Sequence, residues 1–367
     1  MVIGIDASNI RTGGGKKHLQ NFISKSLDEF SNIKFILVSN SNVNSSFINE
    51  KRVLCVSNFL LNTNSVLSLL SQLFYSKHYF TTNKCDIVFV PGGLFLSSFK
   101  PFVSMSQNML PFDETEQNKF QIVKRIKFSL LKVLQKNTFK RSEGVIFLTD
   151  YAKSKILNQI GKIKNSIVIP HGIQQQNVNS YKPNNSSFEI LYISDFLPYK
   201  HQYNVTRAVV ELIKEGHNIN LTLIGEKDTT QYKLIKKLLD KNENIRSKII
   251  IKGKLPYSSI SNYLKGSSLF LFASSCENLP FILLEAISYG LPVITTNKRP
   301  MKDLVHGENI LFDSLDVMSI KKTIKDNLNN EKLIKMSKIN FLHSKSYTWN
   351  LNIVKTISYL KSCKNIK

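Results

Sequence analysis

Two glutamates eight positions apart, Glu277 and Glu285, carry the clearest chemical signal in this 367-residue chain. They sit in a run, 269–296, that reads as strand, loop, helix, strand. The apolar residues 269–273 suit a short buried strand. Pro280 suits the first helical turn, where its missing N–H is not needed. Gly290 suits the helix stop, and Val293 resumes a β-rich run. Glu277 then lies in the loop before the helix, and Glu285 about one and a half turns into it. The free N–H groups of the helix start, near Leu279 to Ile282, attract anions, helped by the positive end of the helix dipole. Carboxylates accept hydrogen bonds from sugar hydroxyls. A phosphate seat flanked by two of them suits a ligand with a diphosphate in the middle and hydroxyl-bearing groups at both ends. An ordinary βαβ unit with two surface acids fits the same pattern, so the rest of the chain has to decide.

Four other places could take part. A first strand ending at Asp6 runs into Asn9-Ile10-Arg11-Thr12-Gly13-Gly14-Gly15-Lys16-Lys17-His18. Three successive glycines lack the spacing of the dinucleotide fingerprint, which argues against NAD. Gly14 and Gly15 could let backbone close over a diphosphate, or could simply make a flexible turn. Lys200 stands at the mouth of a strand just before a helix, where it can reach a phosphate as a point charge, or be one more surface lysine. Gln107 and Asn108 follow a strand at 102–106, so they would face a cleft at the carboxyl ends of the strands. His171 closes a strand in Pro-His-Gly-Ile.

The elements around these residues alternate. Strands are expected at 2–5, 34–38, 53–56, 86–90, 102–106, 144–149 and 166–169, with helices at 19–30, 66–79, 119–141 and 151–159 between them. Residues 39–50 read as loop. The stretch 174–187 is polar, rich in Gln, Asn and Ser, and reads as a linker. The alternation then repeats, with strands at 189–193, 220–224, 248–251, 269–273 and 293–296 and helices at 201–215, 231–241 and 258–265. This is an α/β chain of two doubly wound, Rossmann-like domains facing a cleft, spanning 1–173 and 188–345. A last helix, 346–367, begins near Trp349.

Fifty Lys and Arg against 26 Asp and Glu give a net charge of +24. A nucleic acid, an anionic membrane surface and a Lys-rich coding bias compete to explain it. No nucleic-acid motif is found, and no apolar run reaches the ~20 residues of a membrane span. The first residues form a strand and do not read as a signal peptide. Cys55, Cys85, Cys276 and Cys363 are scattered, which suggests a reducing compartment and no zinc site. The segment 119–141 is the most basic, with Lys119, Lys124, Arg125, Lys127, Lys132, Lys136, Lys140 and Arg141 and no acid. As a helix it gathers Ile122, Val123, Ile126, Leu130, Val133 and Leu134 on one face. The default expectation is that this stripe packs on a core below a solvated basic face. The alternative is contact with an anionic membrane.

Together these residues resemble the GT-B-fold retaining glycosyltransferases of family 4, most closely over 190–312 and more weakly over 1–172. Glu277 and Glu285 match that family's Glu–seven–Glu pair, within Glu-Asn-Leu-Pro and Leu-Leu-Glu-Ala-Ile-Ser-Tyr-Gly-Leu-Pro-Val-Ile. The resemblance implies that Glu277 faces the donor sugar and Glu285 binds the ribose, with the backbone of Asn278, Leu279, Pro280 and Phe281 against sugar and diphosphate. Lys200 matches the diphosphate-binding lysine. Asp195 stands where the family has an arginine, in a Ser-Asp-Phe-Leu-Pro-Tyr-Lys-His-Gln run similar to bacterial surface-polysaccharide and O-antigen transferases. Gly14 and Gly15 match the glycine loop, and His171 an interdomain position. Gln107 and Asn108 stand where many members have His and Asp. Trp349 resembles the aromatic that opens the helix returning to the N-terminal domain.

The expected function is retaining transfer of a hexose, from GDP-mannose or a UDP-hexose, to a hydroxyl of a lipid-linked surface glycan on a polyprenyl carrier. Glu277 and Lys200 would be catalytic, and Gln107 and Asn108 would lie on the acceptor side. No Asp-x-Asp motif is present, so no metal or other cofactor is expected. The enzyme would be cytoplasmic and held peripherally on the inner face of the membrane. An epimerase or sugar-nucleotide hydrolase of the same fold is the nearest alternative. A non-catalytic basic scaffold on membrane or nucleic acid is the other; the paired glutamates argue against it.

Overall fold

The computed structural model describes every residue except 12, 177–180, 182–186, 228 and 365–367, so most of the expected linker lies outside the described residues. The chain divides into two compact units. One comprises Met1–Gln117, Ile122–Gly172 and Tyr347–Lys367, the other Asn118–Gln121 and Ile173–Ser346.

The first unit is built on β1 (Val2–Asp6), β2 (Lys34–Val38), β3 (Val53–Val56), β4 (Ile87–Val90), β5 (Phe102–Met105), β6 (Gly144–Phe147) and β7 (Ser166–Val168). These form one parallel sheet in the order β3-β2-β1-β4-β5-β6-β7. The second unit uses β8 (Phe188–Ile193), β9 (Ile219–Ile224), β10 (Ile249–Lys252), β11 (Leu269–Phe272), β12 (Val293–Thr296) and β13 (Leu311–Phe312) in the order β10-β9-β8-β11-β12-β13, again parallel. Parallel strands covered on both faces need continuous apolar runs, and β4, β5, β6, β11 and β12 are buried at every position. In each sheet the strand order reverses beside the first strand, between β1 and β4 and between β8 and β11. Ligands of such folds bind outside the carboxyl ends of the strands at that reversal.

The last helix, Trp349–Lys364, belongs to the first unit. Asn352 Nδ2 donates to the Pro170 carbonyl at 2.6 Å, and Lys364 pairs with Asp86 at 2.7 Å. The fit is close: a Cβ on Gly172 would lie 2.5 Å from the Trp349 Cα, and one on Gly144 would lie 2.3 Å from the Tyr359 hydroxyl.

Four local expectations change. The segment 39–50, read as loop, carries a short helix, Ser41–Asn44, and a 3-10 turn, Ser45–Phe47. The glycines do not form a loose turn. Gly13, Gly14 and Gly15 are the first residues of the Gly13–Glu29 helix, with Gly13 at φ +67. The segment 66–79 is broken into Ser65–Ser71, a π-helical stretch Gln72–Ser76, and Lys77–Thr82. Its Gln72 and Ser76 are the residues that reach Asp6. The basic helix Ile122–Arg141 forms, but its apolar stripe is not core-packed. Ile122, Val123, Ile126, Leu130 and Val133 are 62, 73, 62, 58 and 63 % exposed. Its buried residues are Gln135, Thr138 and Phe139, near its C-terminal end.

Candidate functional site

Both carboxylate-bearing loops of the second unit leave the sheet at the β8/β11 reversal. After β8 the chain passes Asp195 and makes a short 3-10 turn, Pro198–Lys200, before the Gln202–Lys214 helix. After β11 it passes Glu277 and enters the Phe281–Ser288 helix with Pro280 as the N-cap, one position earlier than expected. Gly290 stops this helix at φ +66. Because β8 and β11 are neighbours, the two loops meet. The Lys200 ammonium pairs with Glu277 Oε1, and both side chains are nearly buried.

The setting strengthens that pair. Lys200 Nζ lies 4.9 Å from the Tyr199 ring centre and 5.4 Å from that of Phe272, so two π-faces support the cation. Burial works against the lysine charge, but the Glu277 carboxylate outweighs it and pushes the pKa up to about 12. The buried Tyr192 hydroxyl donates to the Lys200 carbonyl and anchors the backbone of the turn. Lys200 is therefore a fixed positive charge beside a carboxylate.

Glu285 is buried in the helix that follows. Tyr257, the first residue of the Tyr257–Gly266 helix after β10, donates its hydroxyl to Glu285 Oε1 at 2.8 Å. Burial pushes the Tyr257 pKa up to about 12, which keeps it a donor. Asn278 and Leu279 are buried beside the helix start. Asp195 makes local contacts: its carboxylate accepts from the Glu226 amide at 3.1 Å, and its carbonyl from Gln202 Nε2 at 2.9 Å. Gly225 packs against protein: a Cβ there would lie 2.0 Å from the Ser194 carbonyl oxygen.

The first unit presents a different set at its β1/β4 reversal. Gly13 and Gly14 are exposed at the helix start. A Cβ on Gly15 would lie 3.5 Å from Gln107 Oε1, so the glycine-led helix start and Gln107 are neighbours. Asn108 is exposed and caps the next turn, accepting from the Leu110 amide at 3.0 Å. Asp6 is fully buried. Its Oδ1 accepts from the Ser8 amide and hydroxyl at 3.2 and 2.6 Å and from Gln72 at 3.0 Å, and its Oδ2 accepts from Ser76 at 2.9 Å. Burial raises its pKa despite these bonds. His171 is also inside this unit. Its Nδ1 lies 3.0 Å from Nδ1 of His18, one ring donating and the other accepting, and His18 packs 5.7 Å from the Trp349 ring. Burial pulls His18 down to about 3, and burial with His18 alongside holds His171 well below the usual histidine range.

Among the described residues no cluster of three or more His, Cys, Asp or Glu could hold a metal ion, and no helix is long and apolar enough to cross a membrane. Reasoning from sequence missed Tyr257, His18 and the Asp6 partners. Pro256 ahead of Tyr257 was the one available signal, since it marks a helix start at a strand end.

Residues 173–340 match the family model of Glycosyl transferases group 1. That segment contains Lys200, Glu277 and Glu285. Over 217 residues the chain is 27 % identical to the capsular polysaccharide biosynthesis glycosyltransferase CapH of Staphylococcus aureus, covering 58 % of each protein. It spans about half the length of the curated relatives it matches. Among solved structures, sucrose-phosphate synthase from Thermosynechococcus elongatus superposes with a TM-score of 0.78 at 13 % identity, covering 99 % of this chain and 98 % of that one. Anabaena HepE in complex with UDP and glucose gives 0.73 at 16 % identity, covering 99 % and 100 %. These likenesses establish the fold, two parallel-sheet α/β domains of the GT-B kind.

Proposed function

We propose that the protein is a glycosyltransferase of surface-polysaccharide synthesis that takes a hexose from a nucleoside-diphosphate sugar. The observation that carries this reading is the Lys200–Glu277 pair at the β8/β11 reversal, with Glu285 in the helix that follows. The group 1 segment and the likeness to HepE, solved with UDP and glucose, support the same donor class.

The chemistry follows from the residues. Lys200, together with the amide groups at the start of the Phe281–Ser288 helix, supplies positive charge for the departing diphosphate, and such preorganised electrostatics is a leading contribution to catalysis. When donor enters, its phosphates share Lys200 with Glu277. Glu277 then faces the sugar hydroxyls, and Glu285, held on one oxygen by Tyr257, accepts from the ribose. The C1–O bond to phosphate breaks and the bond from C1 to the acceptor oxygen forms on the same face, with retention. The acceptor proton passes to the leaving phosphate oxygen, so no histidine base is needed at Gln107 or Asn108. No metal is required in this scheme, because Lys200 and the helix start supply the charge. Gly14, Gly15, Gln107 and Asn108 would serve the first unit's part in binding diphosphate and acceptor. His171 would serve from inside that unit, by holding His18 and the glycine-led helix in place.

The acceptor in this reading is a polyprenyl-linked glycan on the cytoplasmic face of a membrane. The exposed stripe of the Ile122–Arg141 helix supports it, since apolar residues lie open to solvent beside lysines and arginines with no acid among them. Co-sedimentation with anionic vesicles tests this part. Changing Lys124, Arg125, Lys132 and Lys136 to Gln should release the protein, and undiminished binding would remove membrane contact from the proposal. For the donor, a thermal-shift screen against GDP- and UDP-sugars should show one base raising the melting temperature. Nucleotide release without glycan product would favour a hydrolase or epimerase instead.

A further inference from the structure

Asn118–Gln121 is a short strap. It belongs to the second unit, although the chain on either side, to Gln117 and from Ile122, belongs to the first. It lies on the turn that carries Lys200. The Phe120 ring meets the Tyr199 ring with centroids 6.2 Å apart and planes tilted by 49°. Lys119 Nζ lies 3.5 Å from His201 Nε2. The strap thus touches the residue on each side of Lys200.

Both neighbours need holding. His201 is buried in the left-handed region at φ +53, a conformation that a non-glycine residue keeps only when surrounding packing over-determines it. Its Nε2 also meets the Ser275 hydroxyl at 2.8 Å, and the Ser275 amide donates to the Tyr199 carbonyl at 2.9 Å. Ser275 is two residues before Glu277, so strap, turn and Glu277 loop form one connected assembly. Tyr199 in turn supports the Lys200 ammonium with its ring. A lysine is a flexible point charge, and catalysis by a fixed charge depends on where that charge is held.

We propose that Lys119 and Phe120 are positioning residues that set Lys200 for the leaving diphosphate. This rests on the reading of Lys200 as the diphosphate ligand. Phe120 fixes the Tyr199 ring beneath the ammonium, and Lys119 donates to the neutral His201 imidazole and holds the strained residue after it. Neither touches the donor.

The test uses the full chain with Phe120→Ala, Phe120→Tyr, Lys119→Met and Lys119→Arg. Amide hydrogen exchange over 196–203 is followed by mass spectrometry, and nucleotide release from UDP-glucose and GDP-mannose gives separate kcat and KM values. Phe120→Ala should speed exchange in 196–203 while the Thr230–Asp240 helix stays unchanged, and lower kcat about tenfold with little change in KM for the donor, since misplacing a catalytic group acts mainly on the chemical step. Lys119→Met should do the same more weakly, with Phe120→Tyr and Lys119→Arg near wild type. Unchanged exchange in 196–203 for both Phe120→Ala and Lys119→Met would overturn the proposal, as would unchanged kcat in an active enzyme. If the wild type neither binds UDP or GDP nor releases them, the transferase reading fails. The exchange result then decides by itself whether the strap orders this turn.

Discussion

The two reversal points of this molecule share a topology and differ in chemistry. In the first unit the segments after β1 and β5, beside the reversal, bring together glycines and Gln107, and β1 ends on a buried Asp6 held by neutral donors. In the second the loops after β8 and β11 bring together a lysine and a glutamate as an ion pair, backed by aromatic rings. Parallel winding fixes where the loops converge, but the side chains on those loops decide whether the place is charged or neutral. The Asp6 carboxylate is taken up by Ser8, Gln72 and Ser76. Glu277 has one oxygen paired to the Lys200 ammonium, so a ligand that competes for the lysine can release it.

The largest effect should come from breaking the charged point. Glu277→Ala should lower turnover on the order of a thousandfold with nucleotide affinity partly kept, whereas Gln107→Ala should cost far less. Equal losses measured by steady-state kinetics would erase the distinction between the two points. A smaller effect should come from paired glycine changes. Gly225→Ala drives a Cβ to 2.0 Å from a backbone oxygen, and Gly92→Ala drives one to 1.8 Å from the Asn9 side chain, which can swing away. Denaturant titration should find about 3 kcal/mol lost for Gly225→Ala and about 1–2 for Gly92→Ala.

Acid should weaken the first unit more steeply. Histidine titrates near 6.5 when unfolded, and both His18 and His171 are depressed in the fold. Their neutral burial is fully stabilising above pH ~6.5 and is lost as pH falls toward the folded values, by up to about 2 kcal/mol per histidine between pH 7 and 5. In the second unit His201 is drawn down to about 4 by burial and Lys119, and half-buried His343 is lowered less. Hydrogen exchange at pH 5 should therefore accelerate in the Gly13–Glu29 helix more than in the Gln202–Lys214 helix. The reverse order would be wrong for this account. The smallest effect should come from Tyr257→Phe, which removes one donor from Glu285 and should weaken UDP or GDP binding about fivefold in a calorimetric titration.

The sequence made the sheets readable, because buried parallel strands are apolar throughout and their runs stand out. The two-residue β13 is too short to produce a pattern. The Glu277 unit was readable because its strand, cap, helix and glycine stop are contiguous. Lys200 could be named as a candidate, but its pairing with Glu277 depends on β8 lying beside β11, which sequence distance hides. Glycine's backbone freedom fitted either a closing loop or a flexible turn at Gly13–Gly15, where the structure begins a helix. Periodicity found the stripe from Ile122 to Val133 but not the side it faces, since an exposed stripe and a buried one have the same spacing. Lys119 stood in a run of basic residues and gave no sign that it would meet His201.

The Trp349–Lys364 helix has a consequence for biosynthesis. It seals a unit whose other parts end at Gly172, yet the ribosome makes it only after the whole of the second unit. Until then the surfaces around Pro170, Gly172 and Gly144 stay uncovered, while the second unit can already fold. The half of the molecule that begins first is thus the one completed last, and a chain truncated after Ser346 should present an open apolar flank to chaperones and proteases.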